Sequence, residues 1–262
     1  MAADQQTSID QQNREFWDEL CGSGLARWLG ITEITRESLE RFDREYMAQY
    51  PYLGRYLDEL PVEGRDVLEI GLGFGTVGQL LAARGARYHG ADIAAGPVAM
   101  MRDRLRWLGR PADESVVQTS ALELPWDAES FDFVVSIGCL HHTGDLPGAV
   151  GEVHRVLRPG GTALVMLYNA HSLRQLIFGS AEQVGTRYDA NEGGEPAPHT
   201  DYVSRRDVRR LFAAFAHTSV EAQNFDVVTW RFARRRWTIP RERLLGNVGR
   251  VLGLDLYIRA RK

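Results

Sequence analysis

The chain has 262 residues and a mass of 29.5 kDa, with 44% hydrophobic and 25% charged residues, which excludes a disulfide-stapled mini-protein and a disordered chain. The formal net charge of −4 argues against a dedicated nucleic-acid-binding protein. Cys21 and Cys139 stand alone, without His or Cys neighbours at ligand spacing, so we expect neither a disulfide framework nor a bound metal.

No segment looks like a membrane span or a secretory signal. Uncharged apolar runs stay well short of the ~18 residues that a span needs, and residues 1–5 lack the basic and apolar regions of a signal peptide. We therefore expect a cytoplasmic protein.

The first sixty residues or so are predicted to be helical. Residues 11–20 form one predicted helix, and a second follows Thr35, whose hydroxyl is placed to cap it. We interpret residues 1–61 as a helical lid segment and residues 62–262 as the main domain. Aromatic residues recur in the lid segment, and we expect one or two of them to touch a ligand while the others pack; they are Phe16, Trp17, Tyr46, Tyr50, Tyr52 and Tyr56.

From residue 66 to residue 168, short β-branched runs alternate with helical stretches. The runs are residues 66–70, 86–92, 115–118, 131–136 and 162–168. This rhythm predicts an α/β fold, a doubly wound parallel sheet with helices on both faces, and a ligand site beyond the carboxyl ends of the strands.

The last third of the chain is predicted to add a substrate-side insertion and two final strands. Residues 172–184 predict a helix, and the Gly- and Pro-rich residues 185–200 predict a mobile loop, so that residues 169–203 form the insertion. A helix over residues 203–215 and strands over residues 219–228 and 253–262 follow, and the two strands suggest a terminal antiparallel pair.

A glycine-rich turn follows the first predicted strand. Gly71, Gly73 and Gly75 stand directly after Glu69-Ile70, and the apolar residues after them make a helix begin there. Read from Gly73, the run G-x-G-x-x-G with Asp92 about 19 positions on also fits a dinucleotide fingerprint. The pattern of glycines alone does not decide whether the turn binds a dinucleotide or another ligand.

Electrostatics favours a cationic ligand. A carboxylate at Glu69 would repel a pyrophosphate, but it would favour the sulfonium and ammonium groups of S-adenosylmethionine. The two oxygens of Asp92, at the tip of the second strand, suit the hydroxyls of a ribose with either cofactor.

With these motifs in place, the chain resembles the class I S-adenosylmethionine-dependent methyltransferases, in particular their bacterial small-molecule, type 11-like branch. The resemblance covers residues 62–168 well and extends more loosely to Lys262. It is carried by EIGLGFG at 69–75, Asp92, ALELPW at 121–126, FDFVV at 131–135, LHH at 140–142 and RVLRPGG at 155–161.

The resemblance implies a Rossmann-like sheet of seven strands, mostly parallel with the last strand antiparallel. It also implies contacts with the adenine around Ala121 and Leu122, although Ser120 stands where family members often carry an Asp. The expected cofactor-binding residues are Glu69, Gly71, Gly73, Gly75, Asp92, Ile93, Ala121, Leu122 and Ser136.

Candidates for catalysis and for substrate binding come from the ends of the later strands. His141 and His142 follow the fourth strand, where one of them is placed to take a proton from the acceptor, with packing as the alternative role. The expected substrate-binding residues are Phe16, Trp17, Tyr168, His199 and Tyr202. Arg234, Arg235 and Arg236 are interpreted as a solvated charge run.

We therefore predict transfer of a methyl group from S-adenosylmethionine to a small-molecule acceptor by in-line displacement, leaving S-adenosylhomocysteine, with O-methylation favoured over N- or C-methylation. The expected setting is small-molecule or natural-product metabolism, without nucleic acid or metal. Two alternatives stay open: a nicotinamide-dependent oxidoreductase and a non-catalytic S-adenosylmethionine-binding protein. The oxidoreductase is disfavoured by the carboxylate at Glu69, and Lys262, the only lysine, does not readily supply a catalytic Tyr/Lys pair.

Overall fold

The computed structural model describes residues 2–18, 24–173, 175, 197–225, 228–232, 235–239 and 249–262. Helices precede the first strand: α1 Ala2–Asp18, α2 Gly24–Trp28, α3 Arg36–Gln49 and α4 Leu53–Asp58. Thr35 caps α3 as predicted, because its hydroxyl accepts a hydrogen bond from the Ser38 backbone N–H. Helix α1 begins nine residues earlier than the helix predicted over residues 11–20.

The remaining elements alternate as the sequence predicts. They are β1 Asp66–Ile70, α5 Thr76–Ala83, β2 Arg87–Asp92, α6 Ala95–Trp107, β3 Val116–Gln118, β4 Phe131–Ile137, α7 Leu146–Val156, β5 Leu157–Asn169, β6 Tyr202–Val203, α8 Arg205–Leu211, β7 His217–Gln223, β8 Val228–Phe232, β9 Arg235–Ile239, α9 Gly249–Leu252 and β10 Asp255–Arg261.

The main sheet runs in the order β3-β2-β1-β4-β5-β10-β7. Strand β10 is antiparallel to both β5 and β7, whereas β1 to β5 pair in parallel. The predicted doubly wound α/β fold with an antiparallel last strand is confirmed. The strand count differs, because the two-residue strand β6 pairs with the end of β5 and makes the sheet eight-stranded.

The sheet buries apolar residues on both faces. In β1, Val67 and Leu68 are fully buried, as expected of a central parallel strand. On one face, α7 presents Leu146, Ala149, Val150 and Val153, which recur at helical spacing and join the core. On the other face, α4, α5 and α6 cover the strands with a second apolar cluster.

Two local predictions need correction. The fifth strand, predicted over residues 162–168, begins earlier, because α7 ends at Val156 and β5 begins at Leu157, which places Pro159-Gly160-Gly161 in the strand. The glycines lie inside the strand, where the pairing with β4 shifts its register and Gly160 has a φ of +80°. The predicted helix over residues 203–215 starts later, because Ser204 caps α8 and leaves Val203 in β6.

Some sequence predictions concern residues outside the described ranges or outside the main sheet. Most of the predicted helix over 172–184 and of the loop over 185–200, together with Cys21 and Arg234, lies outside the described residues. Arg235 and Arg236 belong to β9, which pairs with β8 in a separate hairpin. None of the helices in the described part of the chain combines the length and the apolar character that crossing a bilayer requires.

Candidate functional site

A cavity of about 220 Å³ lies at the carboxyl ends of β1, β2, β4 and β5. Strand β1 sits between β2 and β4, so the chain leaves it toward one side and returns on the other, and ligands of open α/β sheets bind at such a switch point. Of the residues predicted from sequence, the cavity wall includes Trp17, Glu69, Gly71, Gly73, Asp92, Ile93, Ala121, His142 and Tyr168.

The turn after β1 forms the floor of the cavity, and two of its glycines meet different requirements. Gly71 has a φ of +82°, and a Cβ added there would lie 2.2 Å from the Cβ of Cys139. Gly73 has a φ of +50°, and a Cβ added there would meet no protein atom within 4 Å. The space beside Gly73 is therefore open to a ligand. Gly75 ends the turn as the N-cap of α5, away from the cavity wall.

Asp92 connects the turn after β2 to the glycine turn. Its carboxylate accepts hydrogen bonds from the backbone N–H groups of Leu72, at 2.7 Å, and of Ala94, at 2.9 Å. Burial raises the pKa of this carboxyl, and the backbone hydrogen bonds oppose the rise. Each carboxylate oxygen can accept further hydrogen bonds, so Asp92 remains able to receive the hydroxyls of a ribose.

Glu69 lies beneath the turn and is 3% exposed. The Tyr88 hydroxyl donates a hydrogen bond to its carboxyl group. Burial, together with the Asp92 charge, raises the pKa of Glu69 to about 8, although the Tyr88 hydrogen bond and Arg104 oppose the rise. The ionised carboxylate assumed from the sequence is therefore the minor form of Glu69 at neutral pH. A cation bound beside Glu69 would shift the equilibrium toward the ionised form.

The residues after β3 form a further part of the wall. Thr119, Ser120 and Ala121 line the cavity. Leu122, expected to contact a ligand, instead packs against the apolar core, and its backbone N–H donates to the Ser120 hydroxyl at 3.3 Å. The structure therefore brings Ala121 to the cavity but not Leu122.

Ser136 also has a position different from the one expected. Its side chain is fully buried, and its hydroxyl donates to the backbone carbonyl of Ile70 at 2.8 Å. Because that carbonyl precedes the glycine turn, Ser136 supports the turn from behind instead of lining the cavity.

The two histidines that follow β4 have different surroundings. His142 lines the cavity, and its Nδ1 lies 2.7 Å from the backbone carbonyl oxygen of His199. A carbonyl oxygen only accepts hydrogen bonds, so Nδ1 carries the hydrogen and Nε2 carries the lone pair. The Trp17 ring packs 5.1 Å from the His142 ring.

His141 is fully buried behind His142. Burial lowers the pKa of His141 well below its usual range, and neither ring nitrogen has a hydrogen-bond partner among the described residues. Its ring packs 4.1 Å from the Tyr168 ring and 4.2 Å from the His142 ring. His141 therefore supports two residues of the cavity wall, and its neutral ring is poorly placed to take a proton.

The remaining residues expected to bind substrate lie one layer behind the wall. Phe16 is buried and packs edge-on against Trp17 at 4.7 Å. Tyr202 packs 5.7 Å from Tyr168. His199 contributes its carbonyl to His142, and its imidazole faces the Asp201 carboxylate at 3.2 Å.

Helix α1 supplies two wall residues that sequence reasoning missed, Asp10 and Asn13, beside the predicted Trp17. Asp10, Asn13 and Trp17 line the cavity from a single helix face, since they recur at positions i, i+3 and i+7. The Asn13 amide donates to the His142 carbonyl at 2.8 Å, which holds the helix against the site. For Asn13 the helical spacing from Trp17 was a usable signal, because the helix predicted over residues 11–20 contains both residues. Asp10 lies outside that predicted helix.

Helix α3 supplies the facing part of the wall. Phe42 and Tyr46, one turn apart, line the cavity together with Tyr50. Phe42 stacks on Phe74 of the glycine turn at 4.0 Å. Of the aromatic residues noted in the lid segment, Trp17, Tyr46 and Tyr50 reach the cavity.

A buried ion pair holds α3 on the sheet. Arg104 of α6 is 1% exposed and donates two hydrogen bonds of 2.8 Å to the carboxylate of Asp43. The Thr76 hydroxyl, at the start of α5, donates to the same carboxylate at 2.6 Å. This network fixes α3 relative to the glycine turn.

Comparison with known proteins gives a consistent family. Residues 68–165 match the profile of a family described as a methyltransferase domain. The malonyl-[acyl-carrier protein] O-methyltransferase of Halorhodospira halophila is 30% identical over 228 residues, which are 83% of this chain and 72% of that protein.

Two solved structures share the fold. The possible histamine N-methyltransferase of Thermotoga maritima is 20% identical, with 85% of this chain and 97% of that chain aligned and a TM-score of 0.56. The magnesium protoporphyrin IX methyltransferase of Synechocystis PCC 6803, solved with bound SAH, is 13% identical, with 97% and 99% aligned and a TM-score of 0.57.

Proposed function

Since the chain belongs to the S-adenosylmethionine-dependent methyltransferases, we propose that it methylates a hydroxyl oxygen of a small-molecule acceptor and that His142 takes the hydroxyl proton. The observation that carries this proposal is the position of His142. It lines the cavity, and its Nδ1–H is committed to the His199 carbonyl, so Nε2 is the basic nitrogen.

The residues around the turn fit the cofactor. We propose that Asp92 holds the ribose of S-adenosylmethionine, that Gly71 and Gly73 face its methionine portion, and that Ile93 and Ala121 flank the adenine. The open space beside Gly73 and the acceptor oxygens of Asp92 support this assignment. When bound, S-adenosylmethionine supplies a methyl group whose carbon–sulfur bond breaks as the acceptor oxygen bonds to the carbon, the electron pair remaining on sulfur.

The chain's own residues then have three tasks. His142 removes the proton of the acceptor hydroxyl. A neutral amine would not need this base, because its lone pair can attack the methyl carbon directly. Asn13 and Trp17 hold the His142 segment in place, through a hydrogen bond of 2.8 Å and a ring contact of 5.1 Å. Helices α1 and α3, which line the cavity, exclude water from the reacting atoms in the manner of a lid.

Two lines of support favour oxygen over nitrogen as the acceptor atom. One is the lone pair that the His142 tautomer leaves on Nε2, because a hydroxyl acceptor requires a base. The other is the relative at 30% identity, which is named as an O-methyltransferase.

The test replaces His142 with Asn. An Asn amide nitrogen keeps a donor toward the His199 carbonyl but removes the basic Nε2, so we expect kcat for a catechol acceptor to fall by about 10²–10⁴-fold. The affinity for S-adenosylmethionine, measured by titration calorimetry, stays unchanged. His217→Asn, at an exposed position on β7, is the control. A His142→Asn enzyme with the wild-type kcat on catechols would refute the base, and a wild-type enzyme that methylates amines but not catechols would refute the oxygen acceptor.

A further inference from the structure

The acceptor side of the cavity combines aromatic rings with oxygen acceptors. Trp17 of α1, Tyr46 of α3 and Tyr168 at the end of β5 all line the cavity. Each ring packs against another: Trp17 against Phe16 at 4.7 Å, Tyr46 against Tyr50 at 4.8 Å and Tyr168 against His141 at 4.1 Å. The aromatic wall is therefore preformed, and it favours a planar, apolar body in the acceptor.

Helix α1 adds two oxygen groups to this wall, at positions i and i+3 of one helix face. Asp10 lines the cavity, and one of its carboxylate oxygens accepts a hydrogen bond from the Gln6 amide at 2.7 Å. Asn13 is 4% exposed, and its amide nitrogen is committed to the His142 carbonyl. The Asn13 Oδ1 atom is buried without a hydrogen-bond partner among the described residues, so a ligand that donates a hydrogen bond would satisfy it.

The charges of the cavity wall have one sign. Among the described residues, those that line it include the acids Asp10 and Asp92, and Glu69 in its largely protonated form, but no Lys or Arg. A carboxylate or phosphate on the acceptor would be repelled here, whereas an ammonium group would be attracted both by Asp10 and by the faces of the aromatic rings.

From these observations we propose that the acceptor is a hydroxylated arylalkylamine, with its ring against Trp17, Tyr46 and Tyr168 and its ammonium group at Asp10 and the Asn13 Oδ1. The inference rests on the proposed function, because the hydroxyl to be methylated must lie toward His142. It extends that function by assigning a recognition role to Asp10 and Asn13.

The experiment measures binding, not turnover, so that it separates this inference from the proposed catalysis. Protein saturated with S-adenosylhomocysteine is titrated with three catechols whose short side chains end in a cationic, a neutral and an anionic group: dopamine, 4-ethylcatechol and 3,4-dihydroxyphenylacetate. We expect dopamine to bind about tenfold more tightly than 4-ethylcatechol, and the anion to bind most weakly.

The variant Asp10→Asn keeps the hydrogen bond from Gln6 and removes the charge. We expect it to abolish the preference for dopamine over 4-ethylcatechol, while Glu15→Gln, the same charge change at an exposed position of α1, preserves it. Equal binding of the three catechols, tighter binding of the anion, no binding of any of them, or an unchanged preference in Asp10→Asn would overturn the inference. In each of these cases, S-adenosylhomocysteine binding and a His142-dependent kcat on another acceptor would leave the proposed function standing.

Discussion

At the scale of single residues, comparing a glycine of the turn with one elsewhere distinguishes the cost of backbone strain from the effect of ligand contact. Gly73 and Gly109 both have positive φ values, +50° and +65°, and at both positions an added Cβ would meet no protein atom within 4 Å. They differ in location, since Gly73 lines the cavity and Gly109 follows the end of α6. The same substitution at the two positions therefore has a common cost in folding and different consequences for the ligand.

We expect Gly73→Ala and Gly109→Ala to lower the free energy of unfolding by similar amounts, about 1–2 kcal/mol, because an alanine is disfavoured in the left-handed region. Only Gly73→Ala places a methyl group in the cavity, so we expect it alone to weaken S-adenosylmethionine binding, by at least tenfold. Calorimetric titration and thermal unfolding measure the two effects. Wild-type affinity in Gly73→Ala would mean that the cofactor does not approach this turn.

At the scale of elements, α1 is held across the cavity by a few polar contacts. The Gln6 amide donates to the Thr143 carbonyl at 2.7 Å, and the Asn13 amide donates to the His142 carbonyl at 2.8 Å. At the other end, the Gly96 backbone N–H donates to the Asp18 carboxylate at 2.6 Å. Because these three hydrogen bonds join α1 to the residues after β4 and to α6, and not to the strands of the sheet, α1 is a candidate for local opening that precedes global unfolding.

Removing one tie should therefore loosen the helix and leave the sheet unchanged. In Asp18→Ala we expect hydrogen exchange of the α1 amides to accelerate about fivefold, corresponding to a hydrogen bond of about 1 kcal/mol, and S-adenosylmethionine to bind a few-fold more weakly. Glu15→Ala, exposed on the same helix, is the control. If the α1 amides exchanged at the same rate with and without the cofactor in the wild-type protein, the helix would not be a lid.

The elements also show where sequence reasoning succeeds. Strand β1 was predicted with its observed bounds, since a buried apolar run directly before a glycine turn is a local signal. The start of α8 was misplaced because Ser204 and Asp207 form a capping box, which ends the preceding strand at Val203. The bulged start of β5 depends on its pairing with β4, which no local pattern reveals.

At the scale of the whole molecule, the two halves of the cavity differ in how far the sequence predicts them. The half proposed to bind the cofactor depends on a contiguous motif, Glu69 to Gly75, and on Asp92, which stands at the end of the next strand. The half proposed to bind the acceptor is assembled from α1, α3, the residues after β4 and the end of β5. Asp10 and Tyr46 come to line the same cavity as His142 only through tertiary packing. Sequence patterns therefore did not identify Asp10, and they named Tyr46 only as one of the lid-segment aromatics.

The stability of the whole molecule also depends on one site residue. Burial raises the pKa of Glu69 to about 8, from an ordinary value of 4.5. The folded protein therefore keeps a proton that the unfolded chain loses, and this stabilisation, complete below pH 4.5, is lost as the pH rises through 8. His141 has the opposite effect in a lower range, because its depressed pKa makes the folded state gain stability as the pH rises toward 6.5.

Between pH 7 and pH 8.5, Glu69 should therefore dominate the pH dependence. We expect the free energy of unfolding of the wild-type protein to fall over this range by about 1 kcal/mol more than that of Glu69→Gln, which buries a neutral side chain of the same size. Urea unfolding at several pH values measures the difference. Saturating S-adenosylmethionine should reduce it, because a cation beside Glu69 favours the carboxylate that the free protein disfavours. Parallel profiles for the two proteins without cofactor would show that Glu69 is already ionised in the free protein, so that cofactor binding would not be coupled to its ionisation.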